Sequence, residues 1–531
     1  MPIERKFRQQ VTVGLLVSLY VFSLHTVQGG KLLVVPVDGS HWISMKPVAE
    51  ELGQRGHTVV VVIPEISLRM GPSRHYTTKT FPVPYTQDRL TELQDMQKML
   101  IASDMSTLEK ALSIISFIQT VQNFSTTTCE SMLFNQDLMR ELKEQEFDAV
   151  LTDPVFPCGA ILAEYLSIPS IYMLRGIPCS LDFRVTQCPS PPSFVPRLLT
   201  RNTDHMTFPQ HCLNFLTSLL EPLLCKFFFF KFDNTASALL QRDVTVAEIM
   251  SRASVWLMRI DFAFDFPRPL MPNIVLIGGI NCAVRKSLPL EVEKFVNSSG
   301  EHGFVVFTMG SMVSEMPLEK ATQFVDAFRR IPQKVLWRYT GPTPDNLPDN
   351  LKLMKWLPQN DLLGHPKVKA FITHGGTHGI YEGICNGVPM VMLPLFGDQP
   401  DNVHRMVTRK VGVSLNIQEM TSNTLLEAVN TVIHDKSYKE NMMKLSAVHK
   451  DRPVEPLDLA VFWTEFVMRH KGAEHLRPAA HDLNWIQYHS LDVIGLLVAV
   501  VIISSAMMVK CCTFCFKKCC RSSTSLKKKA D

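Results

Sequence analysis

The stretch from Phe371 to Gln399 limits the folds open to this chain more than any other. An apolar run leads into the loop His374-Gly-Gly-Thr-His-Gly379. A helical stretch comes next, stopped at Gly387, and then a second apolar run ends in an acidic loop at Asp398. Strand, glycine loop, helix and strand in that order make a βαβ unit, whose two strands run parallel. The same grammar recurs along the chain. Lys31 to Val37 reads as a strand, Asp38 to His41 as a loop, Trp42 to Arg55 as an amphipathic helix and Thr58 to Ile63 as the returning strand. Asp148 to Thr152 is a further strand closed by Asp153-Pro154, with a helix from about Cys158 to Leu166 and a strand from Ile168 to Leu174. A second half restarts at Gly303 to Thr308, runs into Met309-Gly310-Ser311, and continues through a helix near Leu318 to Arg330 and a strand at Lys334 to Arg338. The fold class is therefore α/β with parallel sheets, in two Rossmann-like halves that would face each other across a cleft.

The two ends speak of a membrane. Arg5, Lys6 and Arg8 precede a short apolar stretch, Val11 to Leu24, and small residues come after it, so residues 1–29 read as a removed secretory signal. Val493 to Val509 is uncharged for 17 residues and Asp492 marks its edge, which gives a single transmembrane helix at 491–509. The basic tail at 510–531 then belongs on the cytosolic side, and the main body in the lumen, in type I topology. Lys528-Lys529-Ala530-Asp531 resembles a di-lysine retrieval signal of the endoplasmic-reticulum membrane. Of 13 cysteines, five crowd the membrane edge, where acylation is plausible, and eight are scattered through the lumenal part without a CxxC metal pair. Asn123 and Asn297 head glycosylation acceptor triplets. A formal charge of +4 over 531 residues leaves no broad basic face for nucleic acid. The Phe227 to Phe230 run reads either as a buried helix of the first domain or as a greasy acceptor or membrane contact.

The loop at His374 to Gly379 opens a helix. Its backbone N–H groups and the helix dipole can hold a diphosphate, and the glycines allow close approach. Glu382 lies one to two turns into that helix, within reach of a ribose hydroxyl, and Asp398 and Gln399 can bond sugar hydroxyls. Trp356 supplies a planar face for a base and Gln359 an amide for its edge. Ser311, after a strand and a glycine, is a second phosphate candidate or a helix-entry residue. Arg259 is a ligand for phosphate or carboxylate, or a fold-holding cation paired to Asp261 or Asp265. His41 and Asp153 each follow the carboxyl end of an expected parallel strand, the edge where such sheets bind ligands.

From Trp356 to Gln399, 44 residues, the pattern resembles the signature of the UDP-glycosyltransferases, and the likeness extends through most of the chain. Lys450 to Phe462 and Met468 to Ala473 look like vertebrate UDP-glucuronosyltransferases of family 1. The chain departs from close relatives in having Gly375 where alanine is frequent and Thr377-His378 in place of other small polar pairs. The resemblance implies a GT-B fold: an acceptor-binding domain at 30–285, a UDP-sugar-binding domain at 286–449 and a crossing and juxtamembrane segment at 450–490. It implies glucuronic acid transfer from UDP-glucuronic acid to small lipophilic acceptors, with His41 as base and Asp153 as its orienting carboxylate. Ser311, His374, Gly376, Thr377 and the other residues named above would hold the donor. UDP-glucuronic acid is then a co-substrate; no cofactor and no metal are implied, and homo- or hetero-oligomers with related transferases are favoured. A UDP-hexose transferase and an inactive modulatory subunit are the alternatives.

Overall fold

The computed structural model describes residues 29–102, 107–282, 285–311 and 313–527. The expected signal segment up to residue 28 and the lysines at 528 and 529 lie outside the described residues.

Two parallel sheets organise the chain up to Leu476. The first contains β1 (Lys31–Val35), β2 (Thr58–Pro64), β3 (Thr77–Phe81), β4 (Ala149–Thr152), β5 (Ser170–Leu174), β6 (Val255–Met258) and β7 (Ile274–Leu276). Their order is β3-β2-β1-β4-β5-β6-β7. The second contains β8 (Phe304–Thr308), β9 (Lys334–Arg338), β10 (Leu351–Met354), β11 (Val368–Thr373), β12 (Met390–Met392) and β13 (Gly412–Ser414), ordered β10-β9-β8-β11-β12-β13. Central strands such as β1, β4, β5 and β8 are almost wholly apolar because helices cover both faces of a parallel sheet. Register is set at the ends that matter: Val35 lies opposite Thr152, and Thr308 opposite Thr373. In each sheet the strand order reverses between two neighbours, β1 and β4 in one, β8 and β11 in the other.

Each face of each sheet has its own core. Under the first sheet, the helix Ser40–Gln54 contributes Trp42, Met45, Val48 and Leu52, and the late helix Pro456–His470 returns to the same layer with Ala460, Val461, Val467 and Met468. The second sheet is braced by Phe307, Phe324, Phe328 and Trp337, with Phe307 and Trp337 stacked at 4.9 Å. The Phe227 to Phe230 run lies within the helix Phe208–Leu240 and is divided by its periodicity. Phe229 is buried in the first core, whereas Phe227 and Phe230 join Leu216, Leu219, Leu220, Leu223 and Leu224 among the exposed apolar side chains.

Six of the eight cysteines before the membrane segment pair, as Cys129–Cys158, Cys179–Cys225 and Cys282–Cys385; Cys188 and Cys212 stay free. The third bridge ties the segment that leaves the first sheet to the helix Thr377–Asn386. Asn297 is exposed at the end of the helix Leu290–Asn297, while Asn123, also exposed, sits inside the helix Thr107–Leu133 rather than in a loop.

The C-terminal helix runs Leu491–Lys527, and its portion Leu491–Cys519 is long and apolar enough to cross a membrane. It continues past the 17-residue apolar run into the basic tail, since neither proline nor glycine interrupts residues 510–527. Phe208–Leu240 is also long and apolar enough, but Cys225, Phe229, Phe232 and Ala236 fix it to the first core.

If Pro456–His470 is part of the first core, adjacent substitutions in it differ sharply. Val461 is fully buried and Phe462 is 47% exposed. Val461→Asp buries an unpaired charge and should cost at least about 3 kcal/mol, whereas Phe462→Asp should cost about 1 kcal/mol or less. Thermal unfolding of the two variants checks this.

Candidate active site

Both reversals of strand order open onto one cavity of about 790 Å³. In open α/β sheets the crevice outside the carboxyl ends of such strands is where ligands bind, because the loops there diverge and leave space.

At the first reversal, β1 delivers the loop Pro36 to Gly39, whose Gly39 adopts φ 81°, and His41 falls in the first turn of the next helix. β4 delivers Asp153. His41 Nδ1 lies 2.6 Å from Asp153 Oδ2. The carboxylate is 1% exposed and the imidazole about a third. A carboxylate on Nδ1 holds the hydrogen there, so the neutral ring presents the Nε2 lone pair, the arrangement of a positioned base. The other oxygen, Oδ1, accepts from Val155 N–H at 3.0 Å. Asp153 thus also closes the turn into Val155, with a different oxygen.

Arg259 follows β6 and is buried behind this pair. Its Nη1 donates to Ser44 Oγ at 2.8 Å, and burial lowers its pKa while the nearby Asp153 charge opposes that shift. Neither of the partners expected from sequence is its own. Asp265 takes Arg175 in a two-pronged pair (2.5 and 3.0 Å), and Asp261 takes His449 at 3.0 Å. Arg259 lines the cavity instead.

At the second reversal, β8 leads to Gly310-Ser311 and β11 to His374-Gly375-Gly376. Ser311 is not a helix entry, because the next helix starts only at Leu318. The glycines have one physical cause. A Cβ on Gly310 would lie 2.5 Å from His374 Cε1, and one on Gly376 2.4 Å from His374 Nε2. The imidazole is wedged between two backbones that only glycine lets so close. Burial pushes its pKa down to about 4, so it is neutral at pH 7 and offers one N–H donor rather than a charge.

The helix Thr377–Asn386 begins at Gly376, and its N-terminus faces the cavity. Thr377 Oγ1 donates to Asp398 Oδ2 at 2.9 Å, and Asn402 Nδ2 donates to the same oxygen at 2.7 Å. Among the described residues no hydrogen bond reaches Asp398 Oδ1, and Asp398 lines the cavity. Gln399 accepts Leu395 N–H and Phe396 N–H with its side-chain oxygen, which leaves the amide N–H groups as its donor end. Glu382 is engaged by Gln359 Nε2 and by His378 Nε2, the latter at 3.0 Å. Trp356 lies 47% exposed at the rim with Gln359 beside it in sequence.

His41, Arg259, Ser311, Trp356, Gln359, His374, Gly376, Thr377, Glu382, Asp398 and Gln399 all line this cavity, and Asp153 lies just beneath it. Its other end is apolar, with Phe81, Tyr85, Leu90, Phe117, Phe124 and Phe396. Three residues at the cavity were missed from sequence. Arg338 ends β9 and donates to the Gly310 and Ser311 carbonyls; the strand-edge rule that found His41 would have found it. Arg175 directly follows β5, at the same kind of edge. His378 reaches Ser44 across the domains at 3.4 Å, which no local pattern signals.

Two parallel α/β domains whose strand-order reversals share one cavity have the architecture of the GT-B glycosyltransferases. Comparison with solved structures agrees: spinosyn forosaminyltransferase superposes with a TM-score of 0.56 at 17% identity, over 82% of this chain and 99% of that one. The family model described as "UDP-glucoronosyl and UDP-glucosyl transferase" matches residues 30–526. Among curated relatives, human UDP-glucuronosyltransferase 1A6 is 55% identical over 94% of both chains, and human UDP-glucuronosyltransferase 1A1 is 52% identical over 99% of both. The chain belongs to the UDP-glucuronosyl and UDP-glucosyl transferase family, and by these relatives it is a UDP-glucuronosyltransferase.

The half-buried, neutral His374 makes stability depend on pH. An unfolded chain protonates this residue near pH 6.5, the folded one only near 4. Its contribution is therefore complete above pH 6.5 and is lost as pH falls toward 4, by about 2 kcal/mol between pH 7 and 5. Thermal unfolding should weaken over that interval in the parent and less so in His374→Gln.

Proposed function

We propose that this enzyme transfers glucuronic acid from UDP-glucuronic acid to a hydroxyl or similar nucleophilic group of small lipophilic acceptors, with inversion to a β-glucuronide, and so serves their clearance. The observation that carries the reading is the 2.6 Å His41–Asp153 contact at the wall of a cavity whose opposite wall is the glycine-lined helix N-terminus. The acceptor lies in the apolar end, with its hydroxyl against His41 Nε2. As the oxygen attacks the anomeric carbon, His41 takes its proton and Asp153 stabilises the imidazolium that forms. The bond to the diphosphate breaks in the same displacement. Charge gathering on the leaving UDP is met by the Gly376 and Thr377 backbone N–H groups, the helix dipole, the neutral His374 N–H and Ser311.

In this reading the uracil stacks on Trp356 with Gln359 at its edge, Glu382 binds the ribose, and Asp398 and Gln399 bind the sugar hydroxyls. Arg259 serves the donor's phosphate or carboxylate. The anchor helix, the basic tail and three disulfides support an endoplasmic-reticulum membrane protein of type I topology with its catalytic domains in the oxidising lumen. Glycans on Asn123 and Asn297 fit that placement, Asn297 the more readily because it ends its helix.

Labelled UDP-glucuronic acid and a simple phenol, with the full chain in detergent-opened microsomes, provide the test. Transfer is expected in the parent, and kcat is expected to fall about 10²- to 10⁴-fold in His41→Ala and also in Asp153→Asn, with UDP affinity kept. Transfer surviving in His41→Ala would remove the base. Competition by UDP-glucose but not by UDP-glucuronic acid would reassign the donor to a UDP-hexose.

A further inference from the structure

The donor reading gives the exposed indole of Trp356 to the uracil base, and the role of Arg69 rests on that reading. The Arg69 guanidinium already lies on this ring. Arg69, in the loop between β2 and β3, holds its guanidinium carbon 4.4 Å from the indole centroid. Its Nη2 is 3.4 Å from the Ser311 carbonyl oxygen, which also accepts from Arg338 at 3.3 Å. Arg69 belongs to the first sheet's domain and Trp356 to the second's, so the covered face is one turned across the cleft.

The contact is held from below. The Asp38 carboxylate accepts the backbone N–H groups of Leu68 at 2.6 Å and Arg69 at 3.0 Å, and also that of Gly39 at 2.7 Å. The loop that carries His41 therefore fixes where Arg69 starts. Among the described residues no carboxylate forms an ion pair with Arg69. Its charge instead faces a second guanidinium, and Arg338 is brought down to about 10 by burial first and then by Arg69. A group at 4.4 Å is in stacking contact. An aromatic base on the same face needs that space, since stacked rings sit with centroids about 4.5–7 Å apart.

We infer that Arg69 is a cross-cleft latch on the base platform, a positioning residue that competes with the uracil for the face of Trp356. Base stacking is the stronger contact, so donor entry displaces the guanidinium rather than being barred by it. UDP carries the same base as the donor. The latch consequently weakens both by one factor and helps clear product from the site.

The test uses the full chain in detergent, with UDP as the probe. Arg69→Ala leaves the backbone bonds to Asp38 in place and should tighten the inhibition constant of UDP and the KM for UDP-glucuronic acid together, by about two- to five-fold, with the acceptor KM unmoved. Trp356→Leu should weaken UDP by about fivefold or more, and on that background Arg69→Ala should have no effect. Weakening by Trp356→Leu with UDP affinity unchanged or lowered in Arg69→Ala would overturn the latch alone. UDP affinity indifferent to Trp356→Leu would overturn the base platform and the latch with it.

Discussion

Everything at this site depends on where strand order reverses in two parallel sheets. Between β1 and β4, and again between β8 and β11, consecutive crossovers leave in opposite directions, and the loops at the carboxyl edge part instead of packing. One gap receives His41 and Asp153, the other Gly310-Ser311 and His374 to Thr377. The separation is chemical as well as spatial. An imidazole–carboxylate pair stands on the first sheet, and a neutral imidazole with a helix N-terminus on the second. In the proposed reaction the first set takes a proton while the second receives the charge of the leaving diphosphate.

Burial decides what each group can do. Asp153 sits in a nearly sealed position, where an imidazole and a backbone N–H cover its two oxygens. His374, wedged between Gly310 and Gly376, is kept neutral, which suits a hydrogen-bond donor beside phosphates and not a proton acceptor. Asp398 and Gln399 each give one oxygen to the protein, so the polar atoms that the proposal assigns to the sugar are already oriented. Preorganisation of this kind costs nothing at the moment of reaction.

Much of this is legible along the chain, because it is local. The strand–glycine–helix grammar at Phe371 to Gln399 fixes its own geometry, and strand ends place His41 and Asp153 at the ligand edge, though their roles as base and orienting carboxylate come from the family resemblance. What escapes the sequence is made of contacts between distant segments. Arg259 stands next to Asp261 and near Asp265 in sequence, yet bonds Ser44 from another helix, since its two acidic neighbours face His449 and Arg175. His378 and Arg69 reach across the cleft, and the three disulfides join cysteines 29 to 103 residues apart. The Phe227 to Phe230 run is ambiguous for a different reason. A helix shows two faces, and this one buries Phe229 while exposing Phe227 and Phe230.

The central claim is that one base on one side of the cleft drives a single displacement on the sugar. The most direct measurement is the anomeric configuration of the product, read by proton NMR on the glucuronide formed by the full chain from the α-linked sugar nucleotide. A β-linked product is predicted throughout the time course. An α-linked product would require two displacements or a different mode of attack, and would contradict the assignment of His41 and Asp153.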